Sequence, residues 1–414
     1  MLIGFRLQNF RSFLAEQSFS FSTSSDRTHE STHLIKTGMK AVPRISKAAI
    51  VFGPNASGKT NLLIALATFR DLILHSSGYS DLQFGERHTP FRFGPSMTQP
   101  TDFEIDVLLD HVRYRYAISY DSQRIRSERL LVYRTGKSQR WFERRFDEAA
   151  HRECWAPFSP NFNGPREMWR KATRPKALFL TTAAQLNSEQ LAPLLHWVEH
   201  RLEILFPGDV SDVNRIAARL QDENFKTRVL GLLSAVDIHV DDMRFAEQDL
   251  SRIDPPPPGA GLLRQGGTHR SIEFLYARDG LVPLWLDSVF EAAGTQRLIG
   301  LFGPLLQAVE NGKLLLIDEF DASLHPLVAR FLIRLINDPR VSSNGAQLLL
   351  TSHNTTLMDL DILRRDEIWL VQLDDKHASS LLPLLRSSPR KHELIAKNYL
   401  KGRYGAVPLI RPQV

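Results

Sequence analysis

Gly53-Pro54-Asn55-Ala56-Ser57-Gly58-Lys59-Thr60 is the stretch on which the reading of this 414-residue chain turns. It fits G-x-x-x-x-G-K-[ST] at every fixed position. Residues 48–52 before it form a short apolar run of strand character, and residues 59–74 after it carry apolar side chains at helical spacing. Glycines let successive backbone N–H groups curl around phosphate oxygens without Cβ clashes, and a helix N-terminus adds partial positive charge. In such a loop Lys59 reaches the β- and γ-phosphates and the Thr60 hydroxyl is a magnesium ligand. The competing reading is a chance glycine turn, against which both flanking elements speak.

A second motif lies far downstream. Leu314-Leu315-Leu316-Ile317-Asp318-Glu319 reads as a buried strand ending in two acids. Such a strand delivers its last residues to the carboxyl edge of an open α/β sheet, where nucleotides bind. Asp318 fits a carboxylate serving the magnesium ion, and Glu319 the group that orients or deprotonates an attacking water. Residues 347–351 form another apolar strand, ending in Ser352-His353-Asn354. A histidine at that edge can contact the γ-phosphate and register its loss, or be a satisfied structural residue. Its place after the acid pair favours function, so Glu319, Lys59 and His353 are the expected catalytic residues.

Outside these motifs, residues 1–185 read as strands with one long helix. Residues 3–7 and 19–21 alternate apolar and polar, residues 103–109 and 114–120 flank Asp110-His111 as a hairpin, and 177–181 reads as a strand. Residues 191–206 and 213–233 have helical spacing. Pro255 to Pro258, with Gly259, Gly261, Gly266 and Gly267, can neither continue a helix nor pair in a sheet centre, so a loop or hinge is expected. Strand character returns at 271–277 and 367–373. The expected organisation is one α/β head built from 1–185 and 268–414, interrupted by a helical insertion and hinge at 186–267.

With 43% hydrophobic and 24% charged residues the chain can bury a sizeable core, which excludes disordered, collagen-like and disulfide-rich classes. The lone Cys154 cannot form an internal disulfide, no apolar run approaches membrane-spanning length, and the N-terminus does not read as a signal peptide. A cytoplasmic protein without membrane contact is expected. The net charge of +6 matches the excess of seven Lys/Arg over one acid (Glu393) between 386 and 414, either a solvated end or a surface for phosphate or partner. Trp141, Trp155 and Trp169, in an Arg-rich segment, read as packing for a small lobe, with base stacking as the alternative.

Several further segments extend the pattern along nearly the whole chain: Asn9-Phe10-Arg11-Ser12-Phe13 at the start, Ala177-Leu178-Phe179-Leu180 leading to Ala184-Gln185, Gly294-Thr295-Gln296-Arg297-Leu298, Ser323-Leu324-His325-Pro326, and Tyr399-Leu400-Lys401-Gly402-Arg403-Tyr404-Gly405. Together with the loop, the acid pair and His353, this set resembles ABC-type ATPases of the SMC/RecF-like branch. Within it the chain is similar to short AAA-family ATPases of bacterial antiphage defence loci, of the RloA and AriA (PARIS) kind. The resemblance implies an ABC-ATPase head: a mixed sheet with a phosphate-loop core, antiparallel N-terminal strands and a short helical insertion. It implies ATP and Mg2+ as cofactors, and nucleotide sandwiched between two heads of a homodimer or higher even oligomer. Gln185 then occupies the Q-loop, at a strand end before the insertion, as a magnesium ligand beside Thr60 and Asp318. Residues 321–325 become the D-loop facing a second subunit. Glu291-Ala292-Ala293-Gly294-Thr295 falls where the signature belongs, with Gly294 offering N–H groups to nucleotide; Ala292 stands where relatives usually carry Ser. Losing one charge-assisted hydrogen bond there costs about 1.5–3 kcal/mol. Arg11 is either a phosphate contact or a solvent-facing residue after the first strand.

Three uses of ATP follow from that resemblance. The favoured one is a sensor or scaffold in antiphage defence, holding a neighbour-encoded effector, a nuclease by expectation. The alternative is a RecF-like DNA-binding repair ATPase, which the basic tail keeps open. A fused nuclease of the OLD type is rejected, because the segment after His353 has no room for that fold.

Overall fold

The computed structural model describes residues 1–134, 136–209, 214–217, 219–249, 268–277, 279–390 and 393–408. The proline/glycine hinge expected around 255–267 lies outside the described residues, as do Lys391 and Arg411 of the basic tail. Among the described residues no helix is long and apolar enough to cross a membrane. The chain divides into two compact units: Met1–Ile204 with Ala308–Asp321 and Ala329–Val414, and Leu205–Gln307 with Ala322–Val328.

The first unit holds a six-stranded mixed sheet, in the order Leu202–Leu205, Leu314–Ile317, Gln347–Ser352, Ala48–Phe52, Ile368–Leu373 and Ser379–Pro383. Every residue of Ala48–Phe52, Leu314–Ile317 and Gln347–Ser352 is buried. Strands covered on both faces read as unbroken apolar runs, which is why their bounds are plain in the sequence. These three pair in parallel, Leu350 standing opposite both Ile317 and Ile50. Their carboxyl ends therefore emerge at one edge.

A seven-stranded antiparallel sheet runs in the order Arg152–Trp155, Gln139–Asp147, Ile125–Tyr133, Val112–Tyr120, Thr101–Leu109, Leu2–Gln8 and Gln17–Ser20. The hairpin between Thr101–Leu109 and Val112–Tyr120 turns on Asp110 and His111, both at positive φ (46° and 65°), as a two-residue turn matching strand twist requires. Helix Lys59–His75 faces this sheet with Phe69, whose ring lies 5.9 Å from Phe5 and 6.0 Å from both Phe103 and Tyr116. The buried Gln347 joins the two sheets: its Oε1 accepts from the Leu2 N–H at 2.6 Å and its Nε2 donates to the Leu2 carbonyl at 3.0 Å. The architecture is thus mixed α/β, with a parallel phosphate-loop core and antiparallel strands from the N-terminal half.

Three expectations are corrected. Residues 177–181 are not a strand: the chain turns into helix Phe179–Gln185. The cause is remote in sequence. Fully buried Glu128 accepts the Phe179 and Leu180 N–H groups at 2.7 and 2.9 Å, so a distant carboxylate satisfies the helix's first donors. The same carboxylate accepts from the Tyr116 hydroxyl and the buried Arg144 guanidinium, both at 2.8 Å. The helix expected at 191–206 stops at His200, and Leu202–Leu205 becomes the edge strand beside Leu314–Ile317. The helix expected at 213–233 is broken: Asn214–Ala217 is separate from Glu223–Ala235, which the Asp222 side chain starts by accepting from Asn224 and Phe225 N–H groups.

The second unit begins at Leu205 rather than at residue 186 and extends to Gln307. It is not wholly helical, since Asp242–Asp249, Thr268–Tyr276 and Leu284–Asp287 form an antiparallel sheet within it. The tryptophans pack as the lobe reading expected: Trp141 and Trp169 are buried against Phe162, and Trp155 packs edge-on to Phe179.

Removing Glu128 strands a buried guanidinium as well as two helix N–H groups. Glu128→Ala is expected to lower unfolding free energy by about 3–5 kcal/mol, read as a lowered denaturant midpoint at unchanged slope.

Candidate functional site

The site begins where Ala48–Phe52 ends. Gly53 has no space for a side chain: a Cβ there would lie 2.3 Å from the Val371 carbonyl oxygen of the adjacent strand. Gly58 sits at φ +108°, and a Cβ would fall 2.3 Å from the Ser379 hydroxyl and 2.7 Å from that of Ser12. Both fixed glycines of the motif are thus demanded by the structure, one by close approach and one by backbone conformation. Between them Pro54, Asn55 and Ala56 form the outer bend, with Ala56 at φ 60° and Asn55 and Ala56 exposed, while Ser57 is buried.

Lys59, the first residue of helix Lys59–His75, is 5% exposed. Its Nζ donates to the carbonyls of Gly53 and Pro54, both at 2.9 Å, and lies 3.4 Å from His353 Nδ1. Burial lowers its pKa to about 8, against the opposing pull of Asp318, Glu319 and Asp321. His353 also lies below the ordinary imidazole value, through desolvation first and the Lys59 charge second.

The acids meet the loop directly. The Thr60 hydroxyl donates to Asp318 Oδ2 at 2.8 Å, and the Thr351 hydroxyl donates to Asp318 Oδ1 at 2.6 Å. The Glu319 N–H donates back to Thr351 Oγ1 at 2.8 Å, and the Phe320 N–H to the Thr351 carbonyl at 3.0 Å. Glu319 adopts φ 48°, a left-handed conformation uncommon for a non-glycine residue. Thr351 is a site residue that the sequence reading did not single out. The signal was the strand register: with Leu350 opposite Ile317, the next residue of each strand must be neighbours, placing Thr351 beside Asp318.

Lys59, Thr60, Asp318, Glu319 and His353 are therefore brought together. Thr60 and Asp318 supply adjoining hard oxygen donors of the kind magnesium takes when phosphates and water complete its shell. Among the described residues no group of three or more His, Cys, Asp and Glu forms a metal cage, and a cation shared with phosphates needs none. Arg11, at φ 50°, stands beside the loop, Nη1 3.5 Å from Asn61 Oδ1. Gln185 departs from expectation: it is the exposed last residue of helix Phe179–Gln185 rather than a strand end, and no side-chain hydrogen bond ties it to Thr60 or Asp318. Gly294, in the second unit, is the second residue of helix Ala293–Asn311, and a Cβ there would come 2.9 Å from the Ser323 carbonyl.

A family model described as "AAA domain, putative AbiEii toxin, Type IV TA system" matches residues 48–359, spanning the loop, the acid pair and the histidine. No curated protein matches the chain. Among solved structures it is similar to an SMC head bound to the C-winged helix domain of ScpA (TM-score 0.48, 12% identity, covering 92% of this chain and 96% of that one). It is also similar to the SMC head domain from Thermotoga maritima (TM-score 0.43, 15% identity, covering 92% and 98%).

A phosphate ligand favours the charged form of Lys59, so binding takes up a proton once pH exceeds the free lysine's value. Affinity for inorganic tripolyphosphate is expected to hold below pH 7 and fall as pH rises through about 8. Titration calorimetry across pH 6.5–9.5 checks this, and Lys59→Arg should flatten the profile.

Proposed function

The chain belongs to the AAA-domain family described as putative AbiEii toxins of type IV toxin–antitoxin systems, and from that premise we propose that it is an ATP-hydrolysing ABC-type ATPase serving as sensor or scaffold of an antiphage defence system. Its effector is encoded separately and is a nuclease. The observation that carries the ATPase reading is the carboxylate of Asp318 held between Thr60 of the phosphate loop and Thr351 of the next strand. That contact joins the phosphate-binding motif to the acid pair, and a glycine turn arising by chance has no reason to make it.

Lys59 and the loop N–H groups balance charge on the β- and γ-phosphates, and Glu319 orients the water that attacks the γ-phosphate. Thr60 and Asp318 would hold a magnesium ion, which when bound neutralises charge developing on the phosphates. His353, beside the Lys59 ammonium, is suited to contact the γ-phosphate. Gly294 and its helix N-terminus would supply N–H groups to nucleotide held by a second copy, making the working unit a homodimer of heads or a higher even oligomer. The abortive-infection flavour of the family description supports the defence role.

Lys59→Ala is expected to abolish ATP turnover. Glu319→Gln should bind ATP yet hydrolyse it slowly, accumulating as dimer on size exclusion; turnover at wild-type speed would remove Glu319 from its role. Thr351→Val should cut turnover by roughly 10–100-fold while sparing ATP binding. Pull-down of tagged Glu319→Gln protein from its native operon tests the purpose. A stoichiometric neighbour-encoded protein supports the defence scaffold, whereas bound DNA without a protein partner supports a RecF-like repair ATPase.

A further inference from the structure

The parallel strands of the first unit have a second edge. Gly312 and Lys313 lead into Leu314–Ile317, and residues 343–346 lead into Gln347–Ser352. These loops lie at the amino ends of strands whose carboxyl ends carry Asp318 and Thr351. At about 3.3 Å per residue the two edges are roughly 15 Å apart. A cavity of about 440 Å³ opens at the amino edge, within the size range of small-molecule sites. It is walled by the two loops, the Asp110-His111 turn, helix Ala192–His200 and the end of strand Leu34–Lys36, all within the first unit.

Local bonds fix this wall. Gly312 sits at φ +61°, where a Cβ would lie 2.2 Å from the Asn344 carbonyl oxygen, so the two loops touch through backbone. The Asn344 side chain donates to the Glu310 carbonyl at 2.7 Å. The Arg201 carbonyl accepts the Leu314 N–H at 2.7 Å, which ties the Arg201 backbone to the sheet edge. After Leu34–Lys36, the Thr37 N–H donates to the Pro43 carbonyl and its hydroxyl accepts the Met39 N–H, both at 3.1 Å.

The charge on the wall is unbalanced. Lys36, Arg201, His111 and His196 line it, against one carboxylate, that of Asp110. Neither Lys36 nor Arg201 has a carboxylate partner among the described residues, and neither imidazole has a hydrogen-bond partner there. Glu203, two positions after Arg201, is already paired with Lys313 at 2.8 Å. The N–H groups of Ser343, Asn344 and Gly345 likewise meet no acceptor among the described residues, and Gly345 turns at φ +75°. Successive unpaired N–H groups in a bend are an anion-binding device. Ile35, Leu109 and Pro193 supply an apolar part of the same wall.

We propose that this cavity binds a small phosphorylated organic molecule, its phosphate on Lys36, Arg201 and the N–H groups of residues 343–345, its organic part against Ile35, Leu109 and Pro193. The guanidinium fork matches phosphate oxygens in pairs, and the lysine ammonium adds a point charge. A bare phosphate leaves the apolar wall and most of the volume unused. A neutral ligand leaves the cations unanswered. Asp110 opposes the anion, so removing its charge strengthens binding.

The test titrates phenyl phosphate, inorganic phosphate and phenylacetate against the full chain by ligand-observed NMR. Phenyl phosphate is expected to bind saturably, at least about 10-fold more tightly than inorganic phosphate and more tightly than phenylacetate. The double variant Lys36→Ala/Arg201→Ala should weaken it about 10-fold or more, and Asp110→Asn should strengthen it roughly 3-fold. Asparagine tolerates the left-handed conformation of that turn, so the second variant reports on the cavity even if the first fails to fold. Lys59→Ala should leave phenyl phosphate binding unchanged. Absence of saturable binding overturns the proposal, as does unchanged affinity in the folded variants. Loss of binding in Lys59→Ala places the ligand in the phosphate loop and overturns it as well. Phenylacetate binding as tight as that of phenyl phosphate overturns the phosphate assignment.

Discussion

The carboxylate of Asp318 is the constraint around which the site is built. One oxygen receives the hydroxyl of Thr60 and the other the hydroxyl of Thr351, so a single buried group fixes the phosphate-loop helix, the acid-bearing strand and the strand between them. The sheet order makes this possible, because Gln347–Ser352 runs between Leu314–Ile317 and Ala48–Phe52. Thr351 then does more than hold Asp318. It receives the Glu319 N–H on its hydroxyl and the Phe320 N–H on its carbonyl. A non-glycine residue in the left-handed region costs about 1–3 kcal/mol, and these two bonds brace the backbone on either side of the Glu319 α-carbon.

The loop is equally dependent on a neighbour. Gly53 and Gly58 are pressed by Val371 and Ser379, residues on the two strands of one hairpin. A side chain at either glycine would push that hairpin away or deform the loop. The sequence motif therefore records tertiary crowding, and the strands beyond His353 pack on the phosphate loop although none of their residues belongs to a motif.

This separates what was legible from what was not. Ala48–Phe52, Leu314–Ile317 and the start of helix Lys59–His75 appear in the structure at the bounds the sequence suggested, because doubly buried strands and a loop-to-helix junction leave local signatures. The hairpin on Asp110-His111 is present as well, with its strands Thr101–Leu109 and Val112–Tyr120 each two residues longer at the start than expected. Helix Phe179–Gln185 was illegible for a physical reason: its cap, Glu128, lies about fifty residues away, and Ala177-Leu178-Phe179-Leu180 by itself looks like a buried strand. Gln185 was misplaced by the same error. Leu202–Leu205 was read as helix because only its neighbour in the sheet makes it a strand. Thr351 was hidden differently, since a threonine at a strand end has no signature until register sets it against an acid.

The opening Asn9-Phe10-Arg11-Ser12-Phe13 shows how a short motif can be read residue by residue once packing is known. Buried Asn9 donates to the carbonyls of Ser96, Gln99 and Pro100 at 2.8, 2.9 and 3.1 Å and accepts the Phe91 N–H at 3.1 Å. It therefore organises the whole 91–100 segment, including the backbone that presents Phe93. Phe10 and Phe13 are fully buried and anchor the turn, and Asn9 and Arg11 take positive φ to pass through it. Arg11 is left projecting beside Asn61, and Ser12 bonds Asn61 and Ser379 across the base of the loop. Two apolar anchors, one organiser and two polar contacts in five residues give the first strand its reason to lie against the phosphate loop. The antiparallel sheet that this strand belongs to is thereby tied to the phosphate loop rather than being an appendage to it.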